Sequence, residues 1–561
     1  MSDGREDARN GLSIPASAKV GSQGQFRKVL SLHELLFLSL GASIGSAWLF
    51  GSAYGAATAG PASIVSWLIG GLFALVIAVT WAEIGGLLPS TGAVVRIPQY
   101  VHGHFAGFYV GWAYYLSAVI VPPVEAVAIV TYASAYVPSL TSAGVLAPEG
   151  YLVSIAIMLL TFTLNSFGVK LFARFNTGVT WWKLLIPTLT AIVALLYFYP
   201  PNLSSFGGFA PRGVAPIFSA VGTAGIIFAY TGFRAAMDYS GEARNPRRDV
   251  PRAMVLSVLI TIVLYTALEV AFVGGIRWGS SGLSPGDWAD LAKTGVYSSA
   301  PFYHLMSVLG VAVLASILLL DAIVSPLGTV GVYVGSSARD LYALAEGEHM
   351  STKVSEVDRK YGVPRVALLV SLAAGTVFIF AFPNWGELAT FGTTATVFTY
   401  LVGPTSLVVL RRHAPELKRS FRVPMAGAVA PVAFVMASLI VYWTTWPYTG
   451  YSLAAFMLGL LVFMLSRPRG AYRAGEIRRG LWIVVYSVVL TCVSYLGSYG
   501  TGLIPFPLDF GVVTILALAC FYWGARSGFP TGELRGLVEQ EKVEESLQVS
   551  QTSGDDTSQP A

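Results

Sequence analysis

Five ionisable side chains fall within long apolar runs of this 561-residue chain. Lys183 lies in Thr180-Trp181-Trp182-Lys183-Leu184, Glu125 follows Pro122-Pro123, and Arg234 follows Thr231-Gly232-Phe233. Asp321 opens Asp321-Ala322-Ile323-Val324-Ser325-Pro326, and Glu269 stands alone. In hydrocarbon such a group costs at least about 3 kcal/mol, so its presence points to a proton, an ion or a charged solute. Lys183 and Glu125 are the candidates for carrying a proton. Arg234 and Asp321 are candidates for gating or for recognising substrate charge. Plainer readings stand beside these. Lys183 snorkels to the cytoplasmic interface, Glu125 is a protonated packing residue, and Arg234 pairs with Glu125 or Asp321 instead of drawing an acidic substrate. Ser325 and Thr329 follow Asp321 by one and two turns on the same helix face. Glu269 has no partner legible in the sequence, and Glu83 and Glu242 read as structural or gate residues.

A second signal lies in the small residues. One apolar run reads Leu38-Ser39-Leu40-Gly41-Ala42-Ser43-Ile44-Gly45-Ser46-Ala47-Trp48-Leu49-Phe50-Gly51, and another reads Gly222-Thr223-Ala224-Gly225-Ile226-Ile227-Phe228-Ala229-Tyr230-Thr231-Gly232-Phe233. Glycine weakens a helix by about 1 kcal/mol relative to alanine. Alone, Gly41-x-x-x-Gly45 would mean close helix packing. Two such interruptions, each in the first span of a five-span half, point to a transport site instead. The N-terminal end of a half-helix presents free N–H groups suited to a carboxylate. Free carbonyls at the other break suit an ammonium. Together they suit a zwitterion, meaning an amino acid.

The elements that must position these groups are membrane helices. Hydrophobic residues make up 54% of the chain and charged residues 12%, and the mean hydropathy is +0.64. A soluble domain carries roughly a quarter charged residues. Runs of about 20 apolar residues occur fourteen times, near 32–55, 62–88, 105–137, 151–168, 178–199, 215–237, 253–275, 301–336, 365–382, 387–410, 427–446, 450–466, 480–498 and 508–525. Placing the N-terminus in the cytoplasm and alternating puts thirty of the 35 Lys and Arg inside. Arg212, Arg277 and Lys293 fall outside, and Lys183 and Arg234 fall within spans. This is the positive-inside pattern, with both ends cytoplasmic. The basic residues are orientation signals, so nucleic acid is not expected as a partner. The arm 1–28 and the tail 527–561 are polar and read as disordered. Cys492 and Cys520 form no disulfide framework, no GxxxxGK[ST] loop is present, and the six histidines give no HExxH pair. ATP-driven pumps and zinc enzymes are thereby disfavoured. No enzyme activity, metal or cofactor is expected.

The motifs together resemble the amino acid–polyamine–organocation superfamily. Gly41 to Gly51 resembles its first-span signature Gly-x-x-x-Gly-Ser-Gly-x-x-Phe, with Ala47 replacing the second glycine. Phe228-Ala229-Tyr230-Thr231-Gly232-Phe233 and the Glu242-to-Pro251 loop resemble its sixth span and Glu-x-x-Asn-Pro loop. Gly335 to Ala345 resembles the end of its eighth span. These matches cover about 30–465. Ile44 to Gly51 and Pro122-Pro123-Val124-Glu125-Ala126 resemble the aspartate–proton symporter branch.

The resemblance implies an all-α, LeuT-type core of five plus five helices working by alternating access. That core is expected over 29–410, with inverted repeats at 29–200 and 212–410. Four accessory helices over 426–526 either support it or form an oligomer contact. By resemblance Ser43, Gly45, Ser46 and Ala47 meet the substrate's carboxylate and amino groups. Phe228, Tyr230, Thr231 and Gly232 line the other side, with Phe228 as a lid and Trp48 nearby. Lys183 matches a lysine that stands in for a sodium ion between spans 1 and 8 of proton-coupled relatives. Arg234 occupies a position where some exchangers carry an acidic gate residue. The expected function is import of amino acids by proton symport, acidic ones included. An exchanger without net proton flow is the second reading. A nutrient sensor is a third, disfavoured by the short tails.

Overall fold

The computed structural model describes residues 28–534 and 536, apart from 89–92, 143, 168, 280–281, 294, 346–350, 359–360, 467–473 and 535. The arm 1–28, apart from Lys28, and the tail beyond Leu534, apart from Gly536, lie outside the described residues.

The chain is helical nearly throughout. It opens with α1 (Leu32–Ser43), α2 (Ala47–Ala59), α3 (Ser63–Leu87), α4 (Ala93–His102), α5 (His104–Val119) and α6 (Val121–Ala133). A small antiparallel hairpin, Thr141–Ser142 with Val145–Leu146, precedes α7 (Pro148–Asn165) and α8 (Val169–Leu196). There follow α9 (Ala215–Thr223), α10 (Ile226–Tyr230), a 3-10 turn at Thr231–Arg234, α11 (Ala235–Asp238) and α12 (Pro246–Gly275). Next come α13 (Gly295–Ser299), α14 (Pro301–Val308), α15 (Ala312–Leu344), α16 (Arg365–Ala381), α17 (Trp385–Tyr400) and α18 (Val402–His413). The last four are α19 (Ala426–Trp443), α20 (Tyr448–Ser466), α21 (Ala474–Leu496) and α22 (Leu508–Arg526).

Local sequence explains several ends. Proline opens α7, α12 and α14, where the missing N–H has no helical partner to lose. Asn384 caps α17 by accepting the Gly386 N–H at 2.8 Å. Gly60 ends α2 at a φ of 64°, a conformation that suits glycine.

Among the described residues eleven helical stretches are long and apolar enough to cross a bilayer, or twelve if the bent pair Ala215–Thr223 and Ile226–Asp238 is one span. This agrees with the expected polytopic all-helical architecture. The expected count of fourteen is not reached on length, because α1 has 12 residues and α16 has 17, below the roughly 20 a straight span needs. The α1 shortfall has a physical cause: the helix breaks after Ser43 and resumes at Ala47.

α1 packs against α8, α12 and α15 and against the turn at Thr231–Arg234. α12 lies along α3, and α15 along α5, α6 and α8. The two interrupted segments are therefore enclosed by unbroken helices. Of the last four helices, α19 packs on α3, α9, α17 and α18, and α20 and α21 pack on α5.

Candidate substrate and coupling site

Breaking α1 at Ser43 frees backbone groups that water cannot satisfy at membrane depth, and four of them find side chains from other helices. The Gly41 carbonyl accepts the Lys183 ammonium at 2.7 Å. The Ser43 carbonyl accepts the Tyr265 hydroxyl at 2.9 Å. Thr329 Oγ1 lies 3.1 Å from the Gly41 oxygen and 3.4 Å from the Ile44 oxygen. At the start of α2 the Ser46 N–H donates to Glu125 Oε2 at 2.7 Å, and Ser46 Oγ accepts the Trp385 indole N–H at 2.8 Å. The break thus has a cation at its carbonyl pole and a carboxylate at its N–H pole, as half-helix polarity demands.

Lys183 and Glu125 both meet the break, with Thr329 close by. Lys183 Nζ donates to Thr329 Oγ1 at 2.7 Å. A Cβ added at Gly45 would meet both the Glu125 carboxylate and the Thr329 hydroxyl. Gly45 is therefore required for close approach, and its α-carbon faces Glu125. Lys183 is wholly buried, which excludes the snorkelling reading. Asp321 closes the α8–α15 seam nearby, accepting Trp182 Nε1 at 2.7 Å and Ser325 Oγ at 2.6 Å. Its Oδ2 has no hydrogen-bond partner among the described residues.

The second interruption falls at Ala224–Gly225, where the chain turns by 55° between α9 and α10. Gly225 has a φ of 75°, which an L side chain adopts only at a cost. A Cβ there would also strike the Trp385 ring. The two interruptions interlock, since a Cβ on Gly232 would collide with the Ser43 backbone. Ala47, Phe228 and Thr231 are buried, as are Ser43 and Ser46. The Thr231 carbonyl accepts the Tyr400 hydroxyl at 3.1 Å, and Phe228 faces Gly392 of α17. Tyr230 points instead toward α3 and α12. Its hydroxyl donates to the Trp67 carbonyl at 3.1 Å, and its ring packs on Trp67 and Tyr265. It is linked to the break through Tyr265, whose hydroxyl donates to the Ser43 carbonyl. Trp48 packs on Phe302. Ser43 is 4% exposed and Phe228 6% exposed, so this conformation is closed around the site. Trp385 forms its roof, stacked on Phe50 with ring centroids 4.9 Å apart.

Arg234 does not pair with Glu125 or Asp321. Asp321 is twelve residues before Tyr333, about 18 Å along the helix at 1.5 Å per residue. Glu125 is already engaged with Ser46. Arg234 instead donates to Ser117 Oγ at 2.5 Å and lies over the rings of Tyr114 and Tyr333, at 4.5 and 5.1 Å. Its charged neighbours are Asp238 and Asp340. Glu269 finds donors in Ser63 and in Trp67 Nε1, the latter at 2.9 Å. Glu83 receives Arg411 at 2.5 Å and Arg419 at 3.2 Å. Glu242 receives Arg339 at 3.1 Å.

Sequence reasoning missed Trp385, Tyr265, Asp238 and Asp340. Trp385 reads as one more interfacial aromatic, and nothing local says that it reaches Ser46. Asp238 and Asp340 lie at the ends of apolar runs, where an acid reads as a solvated boundary. The signal available was Arg234, since a buried guanidinium demands acids nearby.

The fold is that of a polytopic helical membrane protein with paired helix interruptions. Comparison with known proteins agrees. The amino acid permease family profile matches residues 30–466, and the chain belongs to that family. It is 35% identical over 529 residues to the glutamate/serine transporter AimA of Bacillus subtilis (strain 168), covering 92% of this chain and 96% of the relative. The aspartate-proton symporter of the same organism is 32% identical over 519 residues, covering 91% and 98%. Its methylthioribose transporter is 28% identical over 454 residues, covering 78% and 93%. These relatives are transporters, so the chain is a membrane transport protein and not an enzyme.

Proposed function

We propose that this protein imports amino acids, acidic ones among them, by proton symport with alternating access. The observation that carries the reading is the occupied break, with Glu125 on the Ser46 N–H and Lys183 on the Gly41 carbonyl. An amino acid carries the same two charges in one molecule. Its α-carboxylate competes with Glu125 for the N–H pole, and its ammonium competes with Lys183 for the carbonyl pole. A proton on Glu125 weakens its hold on Ser46 and frees that pole. Proton and substrate then enter as one event. Ser43, Ser46, Ala47, Phe228, Thr231 and Gly232 border the substrate, with Tyr230 behind them.

Arg234 is the group for a substrate's second carboxylate, since its Nε and Nη2 make no hydrogen bond among the described residues. The relatives named for glutamate, serine and aspartate support this class. Asp321 steadies the α8–α15 seam beside Lys183.

We further infer fourteen spans in a LeuT-type core of two inverted repeats, 29–200 and 212–410. Joining α1 with α2, joining α9 with α10 and α11, and letting α16 cross makes the count. Both ends are then cytoplasmic, and 426–526 braces the core. In proteoliposomes an imposed inside-alkaline gradient should drive accumulation of labelled glutamate or aspartate. Uptake that ignores the gradient and needs internal amino acid would establish exchange instead.

A further inference from the structure

Beyond the interruptions lies a second buried ionic group, built around Arg234, whose acids Asp238 and Asp340 the coupling scheme leaves unused. Asp238 Oδ1 accepts the Tyr114 hydroxyl at 2.6 Å, and its Oδ2 accepts Ser336 Oγ. Asp340, one turn beyond Ser336 on α15, is wholly buried. Neither of its oxygens has a hydrogen-bond partner among the described residues. The charged groups that face it are Asp238, Arg234 and Arg339. Arg339 is engaged with Glu242 and with the Gly335 carbonyl at 3.0 Å. The phenols Tyr114, Tyr115, Tyr239, Tyr333 and Tyr400 surround the cluster.

Charge bookkeeping decides the state of this group. Asp238, Glu242 and Asp340 are three carboxyls, while Arg234 and Arg339 are two guanidinium groups, all at least nine-tenths buried. With every acid ionised, one negative charge is left over inside the protein. A buried charge with neither counter-ion nor hydrogen bonds is costly, and a carboxyl in that position neutralises itself. Asp340, with no donor to either oxygen, is the acid that fits a proton. A cavity of about 20 Å³ lined by Tyr239, Gly335, Ala338 and Arg339 of the same cluster has room for a water molecule.

We infer that the Asp238–Asp340 pair holds one proton while the cytoplasmic gate is closed, on Asp340, and loses it to the cytoplasm when α11 parts from α15 and α5. The step is a plain acid dissociation: the carboxyl O–H breaks, water takes the proton, and the reverse reloads it. Closing the gate requires a proton from the cytoplasmic side, separate from the one carried with substrate. Cytoplasmic pH therefore sets how quickly the carrier resets. This gate role rests on the carrier reading, whereas the proton itself does not.

Two measurements keep these apart. In the first, thermal unfolding of the detergent-solubilised protein is followed against pH. The folded state binds a proton that the unfolded chain releases near the ordinary carboxylate range, so stability is lost as pH rises. Wild-type Tm should fall toward alkaline pH more steeply than that of Asp340→Asn or Asp238→Asn, each of which removes the surplus charge. Profiles parallel to wild type in both variants would overturn the proton site, whatever the protein transports. In the second, right-side-out proteoliposomes at fixed external pH carry out amino acid counterflow while internal pH is varied. Wild type should slow several-fold as the interior becomes alkaline, Asp340→Asn should be flat, and Asp340→Glu should restore the slope. A variant slope equal to wild type would overturn the gate role even with the thermal result intact.

Discussion

At the scale of single residues, Thr329 lies beside both of the proposed coupling groups, Lys183 and Glu125. Its hydroxyl is within hydrogen-bond reach of Lys183 and of two carbonyls of the break, and it borders Glu125. Losing a hydrogen bond to a buried charge costs about 1.5–3 kcal/mol. We therefore expect Thr329→Val to lower Tm and to weaken gradient-driven uptake more than counterflow. Lys183→Ala should abolish gradient-driven accumulation while leaving some substrate binding by thermal shift; unchanged accumulation would remove Lys183 from the mechanism. Arg234→Gln should reduce acidic-substrate uptake at least tenfold relative to serine, and an equal loss for both would make Arg234 a structural residue. The sequence made Lys183, Glu125, Arg234 and Asp321 visible because charge is rare in apolar runs. It could not show most of their partners, which come from helices distant in the chain. Arg234 illustrates both cases, since Asp340 lies on distant α15 while Asp238 follows it by only four residues.

Among the elements, the informative feature is where helices stop. Clustered small residues located both interruptions, at Ile44–Ser46 and Ala224–Gly225, because glycine weakens a helix and lets other groups approach closely. What fills the resulting space was not legible. Gly45 admits the Glu125 carboxylate, and Gly225 admits the Trp385 ring. Gly225→Ala would place an L residue at a φ of 75°, costing about 1–2 kcal/mol, and would push Trp385 off Ser46. We expect lower Tm and a loss of substrate-dependent stabilisation larger than for Gly178→Ala, whose Cβ would meet open space. Gly45→Ala should displace Glu125 from the Ser46 N–H and flatten the external pH dependence of uptake. The short α1 and α16 show the limit of counting apolar residues, because a broken or marginal helix and a full span look alike in composition.

For the molecule as a whole, apolar runs and scarce charge carried the membrane reading, and the family match bears out a membrane transporter. The orientation proposed from the Lys and Arg asymmetry is open to test. Cysteine introduced at Lys293 should react with an impermeant thiol reagent from outside, and cysteine at Arg412 only from the cytoplasmic side. In the proposed alternating-access cycle helices part in turn toward each face, and such movement is compatible with unbroken α3, α12 and α15 holding the frame.

The most direct test of coupling imposes no gradient. Proteoliposomes enclosing a pH-sensitive dye are given external glutamate or aspartate, and internal pH is followed alongside label uptake. Wild type should acidify the interior as substrate enters, and Lys183→Ala should not. Substrate entering wild-type vesicles with internal pH unchanged would contradict proton symport at this site.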